Sequence, residues 1–188
     1  MLRNKKRTAE AQCFCRFNDN MEKEKDLPQR KPTRLKNFDY GVSGAYFITI
    51  CTENRQKILS QIVGDDVLGV PKNIELLPYG IVAGKYINKF NDFYDNITID
   101  QYVIMPDHIH IILFVSKSGS PRTSTRTKQT SPVSHFVSTF KRFCNKEYGK
   151  NIWQRGFYDH VIRGQDDYLE IKKYIYENPI RWYYDETN

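Results

Sequence analysis

The chain has 188 residues and a net charge of +7, and 39% of its residues are hydrophobic and 14% aromatic. This length suits one domain with a real core, and the composition is that of a folded protein. Since no apolar run reaches the length of about 18 residues that a membrane helix requires, membrane-spanning proteins are excluded. The charged first residues lack the apolar stretch of a secretory signal, so we expect a cytoplasmic protein without a membrane partner.

The positive charge is concentrated in two regions. Residues 1–36 carry 11 Lys and Arg against 5 Asp and Glu, which leaves only +1 for the other 152 residues. These first residues are polar and aperiodic, which predicts a basic, flexible N-terminal arm. Residues 117–150 hold eight Lys and Arg against the single acid Glu147. Clustered cations suit a polyanion such as nucleic acid, although solvated charge that only keeps the protein soluble is the alternative.

The first half of the chain predicts three strands and a helix. The segment GAYFITICT, 44–52, is rich in β-branched and aromatic residues and predicts a first strand. Residues 73–94 carry apolar side chains at helical spacing, despite two internal glycines, and predict a first helix. Residues 97–105 and 108–115 then predict an antiparallel hairpin with a tight turn at Pro106.

The second half begins with a polar, aperiodic segment, 116–131, which predicts a mobile loop. Ser131 and Pro132 then supply a capping hydroxyl and a proline at the first position of a second helix. One face of this helix is an apolar stripe. The opposite face carries three cations, Lys141, Arg142 and Lys146.

Residues 152–164 predict a fourth strand, and Asp166 begins a last helix with acids at its positive end. The order of elements is therefore βαββαβ with an added C-terminal helix. This order predicts an α+β fold, a ferredoxin-like antiparallel sheet with helices on one face, in a single domain that spans residues 37–188.

Two histidines stand at the start of the third predicted strand, in MPDHIHIIL. His108 and His110 are two residues apart, so their side chains lie on the same face, while Ile109 and Ile111 line the face that packs on the core. Two imidazoles about 7 Å apart on an exposed patch can converge on a divalent cation. The alternative is a pair of half-buried histidines that are hydrogen-bonded to their neighbours.

The last helix carries a tyrosine and an asparagine that project together. Tyr174 and Asn178 are one turn apart in YIYENP. Because Pro179 disfavours helical geometry at the preceding residue, we expect the helix to end or kink at Asn178. The alternative is a surface tyrosine on an amphipathic helix, followed by a residue that merely ends it.

The segments MPDHIHIIL and YIYENP together resemble the HUH single-tyrosine transposases of the IS200-like superfamily, and specifically the REP-associated tyrosine transposases. The similarity runs from about Asn37 to Trp182 and includes YFITICT and WQRGFYDHVIR. The histidine triplet alone is weakly specific, but its combination with the tyrosine motif is strongly specific.

The resemblance implies a metal-dependent enzyme that nicks and joins single-stranded DNA through a 5′-phosphotyrosine. It implies that His108 and His110 bind a divalent metal, that Tyr174 is the nucleophile and that Asn178 is a third ligand. Mg²⁺ or Mn²⁺ suits an open site that takes a phosphate. For His160, a structural role is preferred to that of a reserve ligand or base.

The resemblance also implies a DNA partner, REP-like palindromes folded as hairpins. We expect two sets of cations to contact this DNA, one on the second helix and one in the arm. They are Lys141, Arg142, Lys146, Arg30, Lys31 and Arg34. A monomer is favoured and a dimer is the alternative.

Two other functions compete with the transposase. A non-catalytic nucleic-acid-binding module of ferredoxin-like fold would explain the charge and the aromatic residues, but it does not require the paired histidines and the tyrosine turn. A metal hydrolase that activates water would leave no covalent adduct with DNA.

Overall fold

A computed structural model describes residues 43–64, 71–93, 95–116 and 131–187. Its main sheet has four strands: β1 (Gly44–Cys51), β4 (Ile97–Ile104), β5 (His108–Val115) and β6 (Tyr158–Ile162). Their order across the sheet is β4-β5-β1-β6, and every neighbouring pair is antiparallel. The described part of the chain also contains three α-helices: α1 (Pro78–Phe93), α2 (Pro132–Tyr148) and α3 (Gln165–Thr187). The predicted α+β, ferredoxin-like architecture is confirmed.

Helices α1 and α2 cover one face of the sheet. Ile109 and Ile111 of β5 are fully buried there and share a core with Phe136 and Phe140 of α2, which are also fully buried. Removing one such phenyl ring from a core typically costs about 3–5 kcal/mol. The predicted start of α2 is confirmed, because Ser131 Oγ accepts a hydrogen bond from the Ser134 backbone N–H and Pro132 begins the helix.

Helix α3 covers the opposite face, which is the face of the two histidines. A second core there joins Phe47 and Ile112 of the sheet to Ile175 of α3. His108 and His110 are only 4% and 3% exposed. The expectation of an exposed histidine patch is therefore wrong, because the last helix packs on the surface that the strand pattern alone leaves open.

The segment between β1 and α1 in the sequence forms a two-stranded sheet that was not predicted. Strands β2 (Ser60–Gly64) and β3 (Pro71–Leu76) pair in antiparallel register, and Ile62 and Ile74 pack against the core under α3. Residues 73–76, which the helical spacing assigned to the first helix, belong to β3. The apolar residues of this short strand continue the spacing of the helix that follows, so the sequence pattern does not mark the boundary.

Gly80 explains why α1 tolerates a glycine. A Cβ at this position would lie 1.9 Å from the Leu59 carbonyl oxygen, which also accepts a hydrogen bond of 2.9 Å from the Leu77 backbone N–H. The first turn of α1 therefore runs against the backbone of the segment before β2, and only glycine permits this approach.

Two further element boundaries differ from the sequence prediction. Strand β6 covers only residues 158–162, although the segment before it forms an isolated bridge between Trp153 and Thr52. Helix α3 does not end at Asn178 but continues through Pro179 to Thr187. No described helix is long and apolar enough to cross a lipid bilayer. The predicted arm, 1–36, and nearly all of the predicted mobile loop, 116–131, lie outside the described residues.

Candidate active site

The two histidines at the start of β5 point their Nε2 atoms at each other. His108 Nε2 lies 2.9 Å from His110 Nε2, and the ring centroids are 4.4 Å apart. Both rings are buried between the sheet and α3. The pair therefore presents two nitrogen atoms to one point in space.

The Nδ1 atom of His108 contacts the carboxylate of Asp107. Asp107 Oδ1 lies 2.5 Å from His108 Nδ1, and Asp107 Oδ2 lies 2.9 Å from Arg55 Nε. Asp107 is itself buried, with 4% exposure. A carboxylate on one imidazole nitrogen fixes the tautomer and leaves the other nitrogen as a ligand or acceptor, as behind metal-bound histidines.

A hydroxyl holds His110 in the same manner. Thr49 Oγ1 on β1 lies 2.8 Å from His110 Nδ1, because the register of the sheet pairs these two residues. The Phe47 ring stacks on His110 with centroids 5.1 Å apart. Each histidine thus has one nitrogen occupied and its Nε2 turned toward the other histidine.

The surroundings favour neutral imidazoles. Burial lowers the pKa of His108, and the Asp107 carboxylate opposes part of this effect. Burial lowers the pKa of His110 well below its usual range, and the neighbouring His108 and Arg55 add to that lowering. Since a metal binds the neutral imidazole, both side chains hold the protonation state of a ligand at pH 7.

Helix α3 brings three side chains to this pair at intervals of one turn. The Tyr174 ring lies 5.3 Å from the His110 ring, and the Trp182 ring lies 5.8 Å from the His108 ring, measured between centroids. Asn178 falls between them on the same helical face and is 7% exposed. The structure therefore brings Tyr174, Asn178, His108 and His110 together at one site.

This geometry fits a metal with octahedral preferences. Two neighbouring ligands of an octahedral ion at about 2.1 Å stand about 3 Å apart, which matches the separation of the two Nε2 atoms. Among the described residues, no three His, Cys, Asp or Glu side chains are grouped to hold a metal. The Asn178 amide oxygen has the chemistry of a further ligand.

The predicted DNA-binding residues of α2 do not share this location. Lys141, Arg142 and Lys146 belong to α2, which packs on the opposite face of the sheet. Lys141 Nζ donates hydrogen bonds to the carbonyl oxygens of Gln154 and Gly156, at 2.6 and 2.7 Å, and so fastens the segment before β6 to α2. The arm residues Arg30, Lys31 and Arg34 lie outside the described residues.

His160 connects two elements away from the histidine pair. Its Nε2 lies 3.0 Å from Asp167 Oδ2, and that oxygen also accepts a hydrogen bond of 2.7 Å from the Arg163 backbone N–H. This contact ties β6 to the first turn of α3. The geometry agrees with the structural role preferred for this histidine.

Sequence reasoning missed four residues of the site, Asp107, Thr49, Arg55 and Trp182. Asp107 directly follows Pro106 in the predicted turn, and an acid directly before a His-x-His pair is a detectable signal of a supporting carboxylate. Thr49 and Arg55 gave no such signal, because only strand register and chain folding bring them to the histidines. Trp182 was missed because the helix was expected to end or kink at Asn178.

Comparison with known proteins identifies the family. The sequence pattern of the family described as "Transposase IS200 like" matches residues 42–178, which is most of the chain. The chain belongs to the IS200-like transposase family.

Individual relatives agree with this assignment. The chain is 31% identical over 175 residues to an uncharacterized protein of Haemophilus influenzae, with 85% of this chain and 93% of the relative covered. It is 27% identical over 142 residues to the REP-associated tyrosine transposase of Escherichia coli K12, with 76% and 70% covered.

A solved structure shares the fold. It is that of a REP-associated tyrosine transposase bound to a REP hairpin, with a TM-score of 0.54 and 22% identity over 79% of this chain and 74% of the other. The resemblance to this group in sequence is therefore matched by a similar architecture.

Proposed function

We propose that this protein is a metal-dependent endonuclease and strand transferase that acts on single-stranded DNA. Tyr174 is the nucleophile, and His108, His110 and Asn178 hold the metal. Membership of the IS200-like transposase family supports DNA cleavage and joining as the reaction class.

One observation carries the proposal, the contact between the Tyr174 ring and the His110 ring at a centroid distance of 5.3 Å. A nucleophile and the ligands of a metal must act on the same phosphorus atom, so they must lie within a few ångströms of each other. Here residues 64 positions apart in sequence meet on one face of the sheet.

Tyr174 attacks the scissile phosphate through its phenol oxygen. The bond from Oη to phosphorus forms as the bond to the 3′-oxygen breaks, the phenol loses its proton, and the departing 3′-oxygen gains one. The products are a 5′-phosphotyrosine and a 3′-hydroxyl. Because the covalent link conserves the phosphodiester, attack by another 3′-hydroxyl reverses the step and joins strands.

The protein contributes rigidity around this reaction. Asp107 and Thr49 orient the two imidazoles through their Nδ1 atoms. Phe47 packs edge-on against the Tyr174 ring at 6.1 Å and face-on against His110, so it fixes the nucleophile relative to the ligands. A bound Mg²⁺ or Mn²⁺ would offset the negative charge of the scissile phosphate as a Lewis acid.

The expected substrate is a hairpin of the REP type. A related solved structure is bound to a REP hairpin, and the REP-associated transposase of Escherichia coli is a relative in sequence. The cations predicted from sequence to hold such DNA remain predictions.

A single chain suffices for the proposed site. Helix α3 brings Tyr174 to His110 of its own chain, so the arrangement needs no exchange of the tyrosine helix between protomers. This supports the monomer as the active form.

The test combines purified protein and Mn²⁺ with labelled single-stranded hairpins taken from the DNA that flanks its own gene. We expect cleavage at one position and a protein–DNA adduct that survives denaturation. The Tyr174→Phe variant should form no adduct, while Tyr176→Phe, an exposed tyrosine on the same helix, should behave as the parent protein.

The two competing functions predict other outcomes. Cleavage without an adduct in both the parent and Tyr174→Phe proteins would identify a metal hydrolase and overturn the proposal. Tight hairpin binding without any cleavage across Mg²⁺ and Mn²⁺ would identify a non-catalytic binding module.

A further inference from the structure

A basic groove lies on the α2 face of the sheet, opposite the face of the histidine pair and beside the edge strand β6. It has a volume of about 400 Å³ and runs between α2 and the segment 154–157 that leads into β6. Among the residues that the structure describes, three cations line it, Lys141, Arg142 and Arg155, and no acidic side chain does. A groove of this charge attracts an anionic ligand.

Lys141 connects the two walls of the groove. Its ammonium group donates to the carbonyl oxygens of Gln154 and Gly156, so it holds the loop wall against the helix wall. Its ammonium group therefore lies where the two walls meet, and burial lowers its pKa to about 8, so it is still mostly protonated at pH 7.

The two arginines stand on opposite walls. Arg142 belongs to α2 and Arg155 to the loop, and both are exposed. The planar guanidinium group presents paired donors that match phosphate oxygens, which suits it to a nucleic-acid backbone. The half-buried Phe157 lines the same groove, and an aromatic ring within a basic groove provides a surface on which a base can stack.

The groove is connected to the histidine pair through the sheet. Its loop wall leads directly into Tyr158, which pairs with Thr49 on β1, and Thr49 pairs with His110 on β5. Neighbouring strands are about 4.8 Å apart, so the backbones of Tyr158 and His110 are separated by about 10 Å. The loop is also fixed at the histidine end of the sheet, because the Gln154 backbone N–H donates to the Cys51 carbonyl oxygen at 2.9 Å.

We propose that this groove binds the single-stranded DNA next to the scissile phosphate, with Arg142 and Arg155 contacting backbone phosphates and Phe157 stacking on a base. The inference rests on the proposed function for the identity of the strand. It adds Arg155 and Phe157 to the DNA-binding residues. It includes Arg142 and leaves out Lys146, which lies one turn further along α2 but does not line the groove.

The experiment measures binding apart from cleavage. A fluorescein-labelled single-stranded oligonucleotide from the DNA flanking the gene is titrated with Tyr174→Phe protein, and anisotropy gives Kd at several salt concentrations. The test variant adds Arg142→Gln and Arg155→Gln. The control variant adds Lys89→Gln and Lys150→Gln, which remove the same charge from exposed positions that do not line the groove.

We expect the arginine variant to raise Kd at least about tenfold. The slope of log K against log salt concentration should become shallower by about 1.4, since each of two lost single-strand phosphate contacts contributes about 0.7. The control should change Kd by less than about threefold, because its charges act only from a distance. Matched unfolding temperatures of the variants show that the groove itself is intact.

Equal weakening by both variants would reduce the effect to overall charge and overturn the inference. The inference would also be overturned if the arginine variant bound a closed hairpin duplex more weakly than the Tyr174→Phe protein but bound the single strand equally well. If the parent protein forms no adduct but the arginine variant still loses single-strand affinity, the proposed nuclease function fails and the groove assignment stands.

Discussion

Tyr174 and Trp182 lie two turns apart on α3, and each contacts a different histidine of the pair. The Tyr174 ring meets His110 at 5.3 Å and the Trp182 ring meets His108 at 5.8 Å, while Lys57 Nζ lies over the indole ring at 5.7 Å. The helix therefore packs against the histidines through one aromatic ring on each side of Asn178.

Trp182 should consequently act as a positioning residue for the nucleophile. We expect Trp182→Ala to slow adduct formation by about tenfold or more, because small displacements of a reacting group are costly. Single-turnover assays with Mn²⁺ measure this rate. Tyr176→Ala, which removes a ring that is 75% exposed on the same helix, should leave it unchanged. Equal rates for all three proteins would contradict the role.

Mixing two inactive variants tests whether the site forms within one chain. His110→Ala lacks a proposed ligand and Tyr174→Phe lacks the proposed nucleophile. Since α3 contacts the histidines of its own chain, the mixture should form no adduct. Recovery of a substantial fraction of parent activity would instead show that protomers exchange the tyrosine helix.

Asp107 should control metal affinity without being a ligand. Replacing it by Asn removes the charge beside His108 Nδ1 and the ion pair with Arg55. We expect Mn²⁺ binding, followed by calorimetry, to weaken about 10–100-fold. Asp100→Asn provides a matched control, since Asp100 bonds to the Tyr168 hydroxyl and not to the histidines. Unchanged affinity in Asp107→Asn would contradict a supporting role for this carboxylate.

The buried histidines should make the metal-free protein sensitive to acid. Both have a pKa that burial lowers in the folded state, so the unfolded chain binds more protons as the pH falls below the usual histidine pKa of about 6.5. The free energy of unfolding should be unaffected by these groups above that pH and should decrease below it. The slope is at most about 1.4 kcal/mol per pH unit for each histidine.

Urea unfolding at pH 7.5 and at pH 5.5 measures this effect. The variant with His108→Gln and His110→Gln should lose less stability over the same interval than the parent protein. An identical loss in both proteins would assign the acid sensitivity to other groups.

The two glycines of α1 should respond differently to replacement by alanine. At Gly80 the new Cβ would collide with the Leu59 carbonyl, and we expect Gly80→Ala to destabilise the protein by about 1–3 kcal/mol. At Gly84 the nearest atom would be Ile104 Cδ1 at 3.5 Å, an ordinary contact. Gly84→Ala should therefore be neutral or stabilising by up to about 1 kcal/mol, because alanine favours the helix. Thermal unfolding compares the two, and a destabilised Gly84→Ala protein would contradict this account.

The sequence alone determined the main sheet and its three helices, but not the two-stranded sheet, because strand and helix periodicity are local properties of the chain. Alternation around His108 and His110 placed both side chains on one face, and Ser131 with Pro132 marked the start of α2. The same motifs indicated the transposase family. They also singled out Tyr174 and Asn178, whose chemical roles remain predictions.

Only the tertiary structure decided what surrounds those residues. The burial of the histidines follows from the docking of α3, and the support from Thr49 and Arg55 follows from strand register and chain folding, neither of which is encoded in local spacing. Pro179 shows the same limit, since its local preference against a helix is outweighed by the packing that carries α3 on to Trp182. Contacts between distant segments depend on how faces pack together, and a one-dimensional pattern does not specify that packing.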